Sequence, residues 1–248
     1  MDDPAFLSVH AAILKEKKLL RSAFETFYRD MMELSDRFLN VSGTEIELGT
    51  GAGFFKSLRP DLVTSDVRRG PNIDKVIDAQ SMDLTDCSVR CIYAINVFHH
   101  LPQPDKFLGE LCRVLHSGGG CILIEPHGGF GSATLHRRLH NDEHFDPTAA
   151  SWSNLAIGGP MSGANQALAH IVFERDLDQF NKKYGDRLEI VYQKYSLNSL
   201  RYFFSGGLNF RQLLPSMSDP ILKAVEAIGR PVARHWSFHQ VTVIRRRP

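Results

Sequence analysis

The N-terminal part of the chain has apolar residues at the spacing of an amphipathic helix. From about Ala5 to Phe38 they recur every three or four residues, which predicts a helical extension. Beyond it, short apolar runs end in polar or glycine-rich segments, as the strands of a sheet do. The predicted strands are Thr44–Leu48, Leu62–Ser65, Lys75–Ile77, Cys91–Asn96, Cys121–Glu125, Leu188–Tyr195 and His239–Arg245.

Stretches of helix length separate the first five runs, and this alternation is typical of an α/β fold. It predicts a mostly parallel sheet that helices cover on both faces. The clearest helix begins at Pro104 and ends before the glycines at 118–120. After Pro126 the alternation stops. Residues 127–170 are rich in Gly, His, Asn, Ser and Pro, which indicates a functional insertion.

A second insertion, Leu197–Ser237, is apolar and predicted to be helical. Within it, the stretch Phe203–Ile228 has two interpretations. The first is a helical pair packed on the sheet edge. The second is an apolar surface that lines a pocket for a hydrophobic or lipid-linked acceptor, or that forms a homodimer face.

Composition narrows the class of protein. The chain has 248 residues, of which 43% are hydrophobic and 23% charged, so it is expected to fold as one globular domain with insertions. The formal net charge of +1 provides no general attraction to nucleic acid or an anionic membrane, and any such partner would need a local patch. No apolar run reaches membrane-span length, no secretory leader is evident, and the four cysteines form no CxxC pair. These features predict a cytoplasmic protein.

The first predicted strand leads from Glu47 into a Gly-x-Gly-x-Gly loop made by Gly49, Thr50, Gly51 and Gly53. Glycines let the backbone turn sharply and approach a ligand, and N–H groups at the start of a following helix would be donors. A dinucleotide fingerprint needs its third glycine one position later, where Phe54 stands. The spacing therefore favours a ligand without a pyrophosphate and disfavours a nicotinamide oxidoreductase.

Polar residues stand where the next strands end. Asp66 follows the second strand, and its carboxylate could accept hydrogen bonds from both hydroxyls of a ribose; the alternative is a cap for the following segment. Asp78 follows the third strand and Asn96 ends the fourth. Ligands of open α/β sheets bind outside the carboxyl ends of the strands. We therefore expect these three residues and the glycine loop to border one crevice.

Taken together, these segments resemble the class I S-adenosylmethionine-dependent methyltransferases, in particular the type 11 small-molecule group. The matching segments are Glu47–Gly53 for the first motif, Asp66 for the ribose acid, Asp78-Ala79 beside the adenine, Asn96–Leu101 after strand four and Glu110–Gly119 for the E-x-x-R-V-L-x-x-G-G signature.

The resemblance implies a Rossmann-like, doubly wound, seven-stranded sheet closed by a C-terminal antiparallel hairpin. It also implies S-adenosylmethionine as the methyl donor, with S-adenosylhomocysteine as product. Cofactor contacts are then expected from Glu47, Gly49, Thr50, Gly51, Gly53, Asp66, Asp78, Ala79 and Asn96. The whole chain, 1–248, becomes one domain with N-terminal helices (1–43), a cofactor-binding half (44–126), a lid or acceptor insertion (127–187) and closing strands (188–248).

Histidines are the candidate bases on the acceptor side. His127 is the first choice because it follows the fifth strand, and His99 is the second, although His99 and His100 could simply shape their loop. A further group, His136, His140 and His144, recurs every four residues as metal ligands on a helix would. No metal is expected there, because the segment looks more like part of a lid over the acceptor pocket, with Gly158, Gly159 and Gly163 allowing movement.

The resulting hypothesis is methyl transfer from S-adenosylmethionine to a small-molecule acceptor. Nucleic acid is disfavoured, because Arg245–Arg247 is the only basic cluster and is typical of a solvated strand end. One alternative is a non-catalytic, cofactor-binding scaffold or regulatory homologue. A further alternative is a methyltransferase for a lipid-linked or other hydrophobic acceptor.

Overall fold

Seven strands form one sheet in the computed structural model. Their order is β3-β2-β1-β4-β5-β7-β6, and β7 alone runs in the direction opposite to the other six strands. This confirms the Rossmann-like α/β fold and the closing antiparallel hairpin. The strands are β1 (Thr44–Leu48), β2 (Val63–Asp66), β3 (Lys75–Val76), β4 (Val89–Ile95), β5 (Leu115–Pro126), β6 (Leu188–Tyr195) and β7 (His239–Arg246).

The structure describes residues 5–51, 53–128, 145–153, 164–196, 198–208 and 210–248. None of the helices in these ranges combines the length and the apolar character needed to cross a bilayer. The helices are α1 (Ala5–Glu16), α2 (Lys18–Phe38), α3 (Pro104–Val114), α4 (Leu168–His170), α5 (Leu177–Tyr184), α6 (Ser199–Ser205), α7 (Asp219–Ile228) and α8 (Ala233–Trp236).

The expectation of a helix directly after the glycine loop is wrong. The chain makes only one 3-10 turn, Phe55–Ser57, before β2 begins at Val63. Within the described residues the connections on to β3 and β4 also lack an α-helix. The N-terminal extension covers this face instead: the ring of Tyr28 in α2 stacks on Phe55 with centroids 4.3 Å apart. Helix α2, which precedes the alternation of strands and helices, thus covers the face where the helix after the glycine loop was expected.

Successive residues of the central strands contribute alternately to two hydrophobic cores, one on each face of the sheet. On β4, Cys91 and Tyr93 belong to a cluster with α2, while Ile92 and Ala94 belong to a cluster with α3. Successive strand residues point to opposite faces, so each face is apolar at every second position. The second cluster also includes Phe173 and Phe180, so the chain after residue 164 packs against the sheet in the manner of a crossover helix.

The second insertion packs on the N-terminal extension. Arg201 of α6 donates to the Ser22 carbonyl (3.1 Å) and to the Thr26 hydroxyl (2.8 Å), both on α2. Asn198 donates to the Ala23 carbonyl at 2.8 Å. Lys17, at the break between α1 and α2, donates to the Gly207 carbonyl at 2.8 Å. These contacts join the two ends of the chain.

Candidate active site

The carboxyl ends of the parallel strands meet at one edge of the sheet. Strand β1 lies between β2 and β4, with Leu48 paired to Ala94 on β4. The glycine loop leaves β1, Asp66 ends β2 and Asn96 follows β4, so the predicted residues lie on three adjacent strands. The glycine loop therefore lies between Asp66, at the end of β2, and Asn96, after β4.

The glycine loop needs glycine for two different reasons. Gly49 and Gly51 both have a left-handed backbone, with φ of +63° and +54°, which strains residues that carry a Cβ. A Cβ on Gly49 would also lie 2.4 Å from Val97 Cγ2, and one on Gly53 would lie 1.9 Å from Thr50 Cγ2. At Gly51 the nearest atom of the described residues would be the Gly49 carbonyl oxygen at 3.8 Å. The loop is therefore packed tightly at its ends and open at its middle.

Asp66 lies next to that open middle. Its side chain is buried, at 4% exposure, and Oδ2 accepts a hydrogen bond from the Gly51 amide at 3.2 Å. Oδ1 accepts from the Arg68 amide (3.0 Å) and from Arg68 Nε (3.2 Å). The structure thus brings together the two residues that the sequence analysis assigned to one crevice. Ala52, between Gly51 and Gly53, lies outside the described residues.

Glu47 lies beneath the loop rather than at its open middle. The Thr50 hydroxyl donates to Glu47 Oε2 at 3.0 Å, and the Ser65 hydroxyl donates to the Glu47 carbonyl at 2.8 Å. Burial raises the pKa of Glu47 to about 8, although hydrogen bonds from Thr50 and Tyr28 act in the opposite direction. Near neutral pH the carboxyl group is thus mostly protonated and holds the loop against β1, β2 and α2.

The end of β3 contributes a compact turn. Asp78 is exposed, and its Oδ1 accepts a hydrogen bond from the Gln80 amide at 2.8 Å. Ala79 is buried, and Gln80 Oε1 accepts from the Gln103 amide at 2.9 Å. The turn after β3 is therefore tied to the segment that precedes α3, which follows β4.

Asn96 has an unusual backbone and an unsatisfied side chain. Its φ of +55° is left-handed, and its amide continues the sheet by donating to the Ile124 carbonyl at 2.9 Å. Within the described residues its buried Oδ1 has no hydrogen-bond partner. A buried acceptor without a donor is costly, so this atom marks a position where a ligand donor would fit.

His99 is held by a carboxylate that the sequence analysis missed. Glu125, near the end of β5 and 1% exposed, accepts the His99 Nδ1–H at 2.6 Å. The same carboxylate accepts from the amides of Val97 (2.9 Å), Phe98 (2.8 Å) and His99 (3.3 Å). An ionised carboxylate accepts only, so Nδ1 carries the proton and Nε2 the lone pair in the neutral ring. The signal available in the sequence was a lone carboxylate ending an apolar strand.

His127 occupies a different environment. Its Nε2–H donates to the Arg234 carbonyl at 3.1 Å, and its ring lies 4.5 Å from that of Tyr195. Burial lowers the pKa of His127, and only part of this effect is offset by the Arg234 carbonyl and nearby Glu174. His127 is therefore a neutral imidazole held against β6, β7 and α8.

A cavity of about 330 Å³ borders His99. Its other walls include Leu101, Ser151, Trp152, Asn165 and Leu168. Trp152 is oriented by its indole N–H, which donates to Asp176 at 2.8 Å. The sequence analysis placed both Trp152 and Asn165 within the predicted lid or acceptor insertion, 127–187, but singled out neither. The histidines 136, 140 and 144 and the glycines 158, 159 and 163 lie outside the described residues.

The described part of the chain contains no group of three or more His, Cys, Asp or Glu side chains that could hold a metal ion. Asp66 ends β2, whereas Asn96 and His99 both follow β4. The chemistry that these residues can support is hydrogen bonding and proton transfer.

Comparison with known proteins agrees with this geometry. Residues 47–123 match a family model described as a methyltransferase domain. The matched segment runs from the residue beneath the glycine loop into β5, and the strand order is that of the class I fold. Over this segment, about a third of its length, the chain is similar to methyltransferase domains. No curated protein matches the sequence significantly.

Solved structures show the likeness in fold. Geranyl diphosphate C-methyltransferase from Streptomyces coelicolor A3(2) is 12% identical with a TM-score of 0.51, and the alignment covers 92% of this chain and 83% of that one. A protein from Pyrococcus horikoshii OT3 is 10% identical with a TM-score of 0.48, covering 91% of each chain. Phosphoethanolamine N-methyltransferase 2 from Haemonchus contortus is 12% identical with a TM-score of 0.45, covering 87% of this chain and 52% of that one.

Proposed function

We propose that the protein transfers the methyl group of S-adenosylmethionine to a small-molecule acceptor. The observation that carries the proposal is the contact between Gly51 and Asp66. It joins an open, left-handed glycine loop to a buried carboxylate at the carboxyl ends of adjacent strands. The methyltransferase domain match covers both residues.

The residues of this edge suit such a donor. Asp66 would accept the ribose hydroxyls after exchanging its local hydrogen bonds with Gly51 and Arg68. The turn at Asp78 and Ala79 would border the adenine, and Asn96 Oδ1 would accept from a donor on the ligand. Gly49, Thr50 and Gly53 shape the loop that approaches the amino-acid part, and Glu47 supports that loop from below. The sulfonium of S-adenosylmethionine supplies an electrophilic methyl group.

On the acceptor side we assign the base to His99, with Glu125 as its positioning residue. Glu125 fixes the ring so that Nε2 is the basic nitrogen, and His99 borders the 330 Å³ cavity. Trp152 and Asn165 would form its walls against a small molecule. Proton removal from the acceptor would then coincide with in-line attack on the methyl carbon. His127 remains a second candidate, with a lower basicity caused by burial.

Isothermal titration with S-adenosylmethionine and S-adenosylhomocysteine tests the donor site. We expect both to bind the wild-type chain, and Gly51→Arg to abolish binding because it fills the open middle of the loop. Asp66→Ala removes a charged acceptor and should weaken binding about 10- to 100-fold. Asp178→Ala, which removes an exposed carboxylate on α5, is the matched control and should bind as the wild type does.

Two results would contradict the proposal. A folded wild-type chain that binds neither compound would exclude a donor site at the loop. Binding without formation of S-adenosylhomocysteine in the presence of varied acceptors would instead favour a cofactor-binding scaffold. Release of S-adenosylhomocysteine with any acceptor would exclude that scaffold.

A further inference from the structure

Exposed apolar side chains are concentrated in one short stretch of the chain. Seven of the twelve large hydrophobic residues that are exposed in the described part of the structure lie between residues 210 and 232. A soluble monomer seldom exposes a contiguous apolar patch of this kind unless the patch contacts something. The seven residues, here called the apolar patch, are Phe210, Leu213, Met217, Ile221, Val225, Ile228 and Val232.

Helix α7, at the centre of the patch, has its apolar side turned outward. Ile221, Val225 and Ile228 follow the i, i+4, i+7 spacing of one helix face, and they are 67%, 46% and 81% exposed. The opposite face carries Leu222 and Glu226, which are buried. A surface helix normally buries its apolar stripe and exposes its charges, so α7 is inverted.

A buried ion pair holds α7 in this orientation. Glu226 Oε2 accepts from Arg201 Nε at 2.7 Å, and Oε1 accepts from the Arg201 amide at 2.9 Å. At the start of the helix, Asp219 accepts from the Ser22 hydroxyl of α2 at 2.7 Å and pairs with Lys223 at 2.6 Å. Rotating α7 to bury its apolar side would break both contacts and leave Arg201 unpaired inside the protein.

Within the segment that carries the patch, basic side chains outnumber carboxylates, and its exposed basic side chains are here called the basic rim. Between Gly206 and Trp236 the sequence has two carboxylates, Asp219 and Glu226, and both are engaged by the contacts described above. The same segment has four exposed basic side chains, at 211, 223, 230 and 234. Of these, Lys223 pairs with Asp219, and Arg230 interacts electrostatically with Asp30 of α2. The break between α1 and α2 adjoins the segment through the contact of Lys17 with the Gly207 carbonyl, and there Lys15 and Lys18 are exposed together with one carboxylate, Glu16.

We propose that the apolar patch and its basic rim dock the protein on an anionic lipid bilayer. Apolar side chains would enter the boundary between headgroups and acyl chains, and Lys and Arg would pair with lipid phosphates. A second copy of the chain is a poorer occupant. A two-fold contact would set the same basic rim against itself, and the two carboxylates of this segment are already engaged. Because the net charge of the whole chain is only +1, the attraction to anionic lipid would come from the basic rim alone. The inference does not depend on methyl transfer.

Sedimentation with vesicles tests the proposal on the full chain. We expect binding to vesicles of phosphatidylcholine mixed with phosphatidylglycerol, weaker binding at high salt, and little binding to phosphatidylcholine alone. The double variant Ile221→Asp/Ile228→Asp should bind at least about tenfold more weakly. Arg211→Glu/Arg230→Glu should weaken binding to the mixed vesicles only. Leu177→Asp, at an exposed apolar position in the first turn of α5, is the matched control and should bind as the wild type does.

Several results would overturn the proposal. One is a wild-type chain that stays in solution with the anionic vesicles, and another is an Ile221→Asp/Ile228→Asp variant that binds them normally. A dimer in light scattering that Ile228→Asp dissolves, without vesicle binding, would assign the patch to a second copy. Titration with S-adenosylhomocysteine on every variant reports folding of the donor site separately. Failure of that titration in the wild type would count against the proposed function and leave the vesicle result standing.

Discussion

The edge of the sheet where the parallel strands end has two sides, the proposed donor side and the proposed acceptor side. Different kinds of contact hold these two sides together. On the donor side, the site residues contact partners that are close in sequence: Thr50 contacts Glu47, and Gly51 contacts Asp66, which is 15 positions away. On the acceptor side the separations are longer. His99 and Glu125 are 26 positions apart, and His127 and Arg234 are 107 apart. Arg201 reaches Ser22 across 179 positions.

This difference separates two kinds of site. The donor loop is made by one strand-turn-strand segment, so its shape follows from local glycine positions. The acceptor side is made where β5, β6, β7 and the insertions meet, so each side chain depends on the packing of distant segments. We therefore expect substitutions on the acceptor side to act through positioning and docking, and those on the donor side to act locally.

The largest effect is expected for Glu125→Gln. The amide would turn a donor toward His99 Nδ1, so the ring would adopt the other tautomer and lose its basic Nε2. Turnover should fall about 10³- to 10⁴-fold, about 4 to 5.5 kcal/mol, with unchanged affinity for S-adenosylmethionine. Nitrogen-15 NMR of the His99 ring should show the exchange of protonated nitrogens, and Glu125→Asp should restore part of the wild-type signal. Unchanged ring shifts in Glu125→Gln would refute the positioning role.

Arg201→Ala tests the docking of the insertion on α2. It leaves Glu226 buried without its partner and removes the hydrogen bonds to Ser22 and Thr26, so unfolding should become easier by about 3 to 4 kcal/mol. Chemical denaturation measures this loss. The control is Arg187→Ala, whose ion pair with Asp186 is exposed and should contribute less than about 0.5 kcal/mol. Equal losses of unfolding free energy in the two variants would show that the contacts of Arg201 do not stabilise the docking of the insertion on α2.

The smallest of the three effects is expected beneath the donor loop. Burial raises the pKa of Glu47 to about 8, so the folded chain binds a proton that the unfolded chain releases above about pH 4.5. The wild-type free energy of unfolding should therefore contain a contribution that declines as pH rises from about 4.5 to 8. Glu47→Gln removes the ionisation and should be more stable than the wild type by about 2 kcal/mol at pH 6, with little difference at pH 4.5. Denaturant titrations across this range measure the slope. A difference that does not change with pH would exclude ionisation of Glu47 as its cause.

Strand positions were largely predictable, while the connections were not. The predicted bounds of β1 and β6 agree with the structure. The helix expected after the glycine loop is absent, because α2 covers that face and no second layer is needed there. Hydrophobic periodicity identifies an element that must be buried, but it does not identify the segment that buries it.

Site residues divide in the same way. The sequence placed Gly51 and Asp66 together because both stand at carboxyl ends of neighbouring parallel strands. It missed Glu125, whose role appears only when β4 and β5 align its carboxylate with the amides at 97–99. For Phe203–Ile228 the sequence left open a packed helical pair or an apolar surface, and only the structure shows that the apolar side of α7 faces outward.

The sequence by itself determined the α/β sheet and the glycine loop, because these depend on local spacing and on residues that permit only certain backbone conformations. The tertiary structure alone decided which nitrogen of His99 is basic, which helix covers the loop and which side of α7 faces outward. These features depend on burial and on partners far along the chain. The ion pair between Arg201 and Glu226 shows the physical reason: a charge is stable inside a protein only where folding brings its counter-charge beside it.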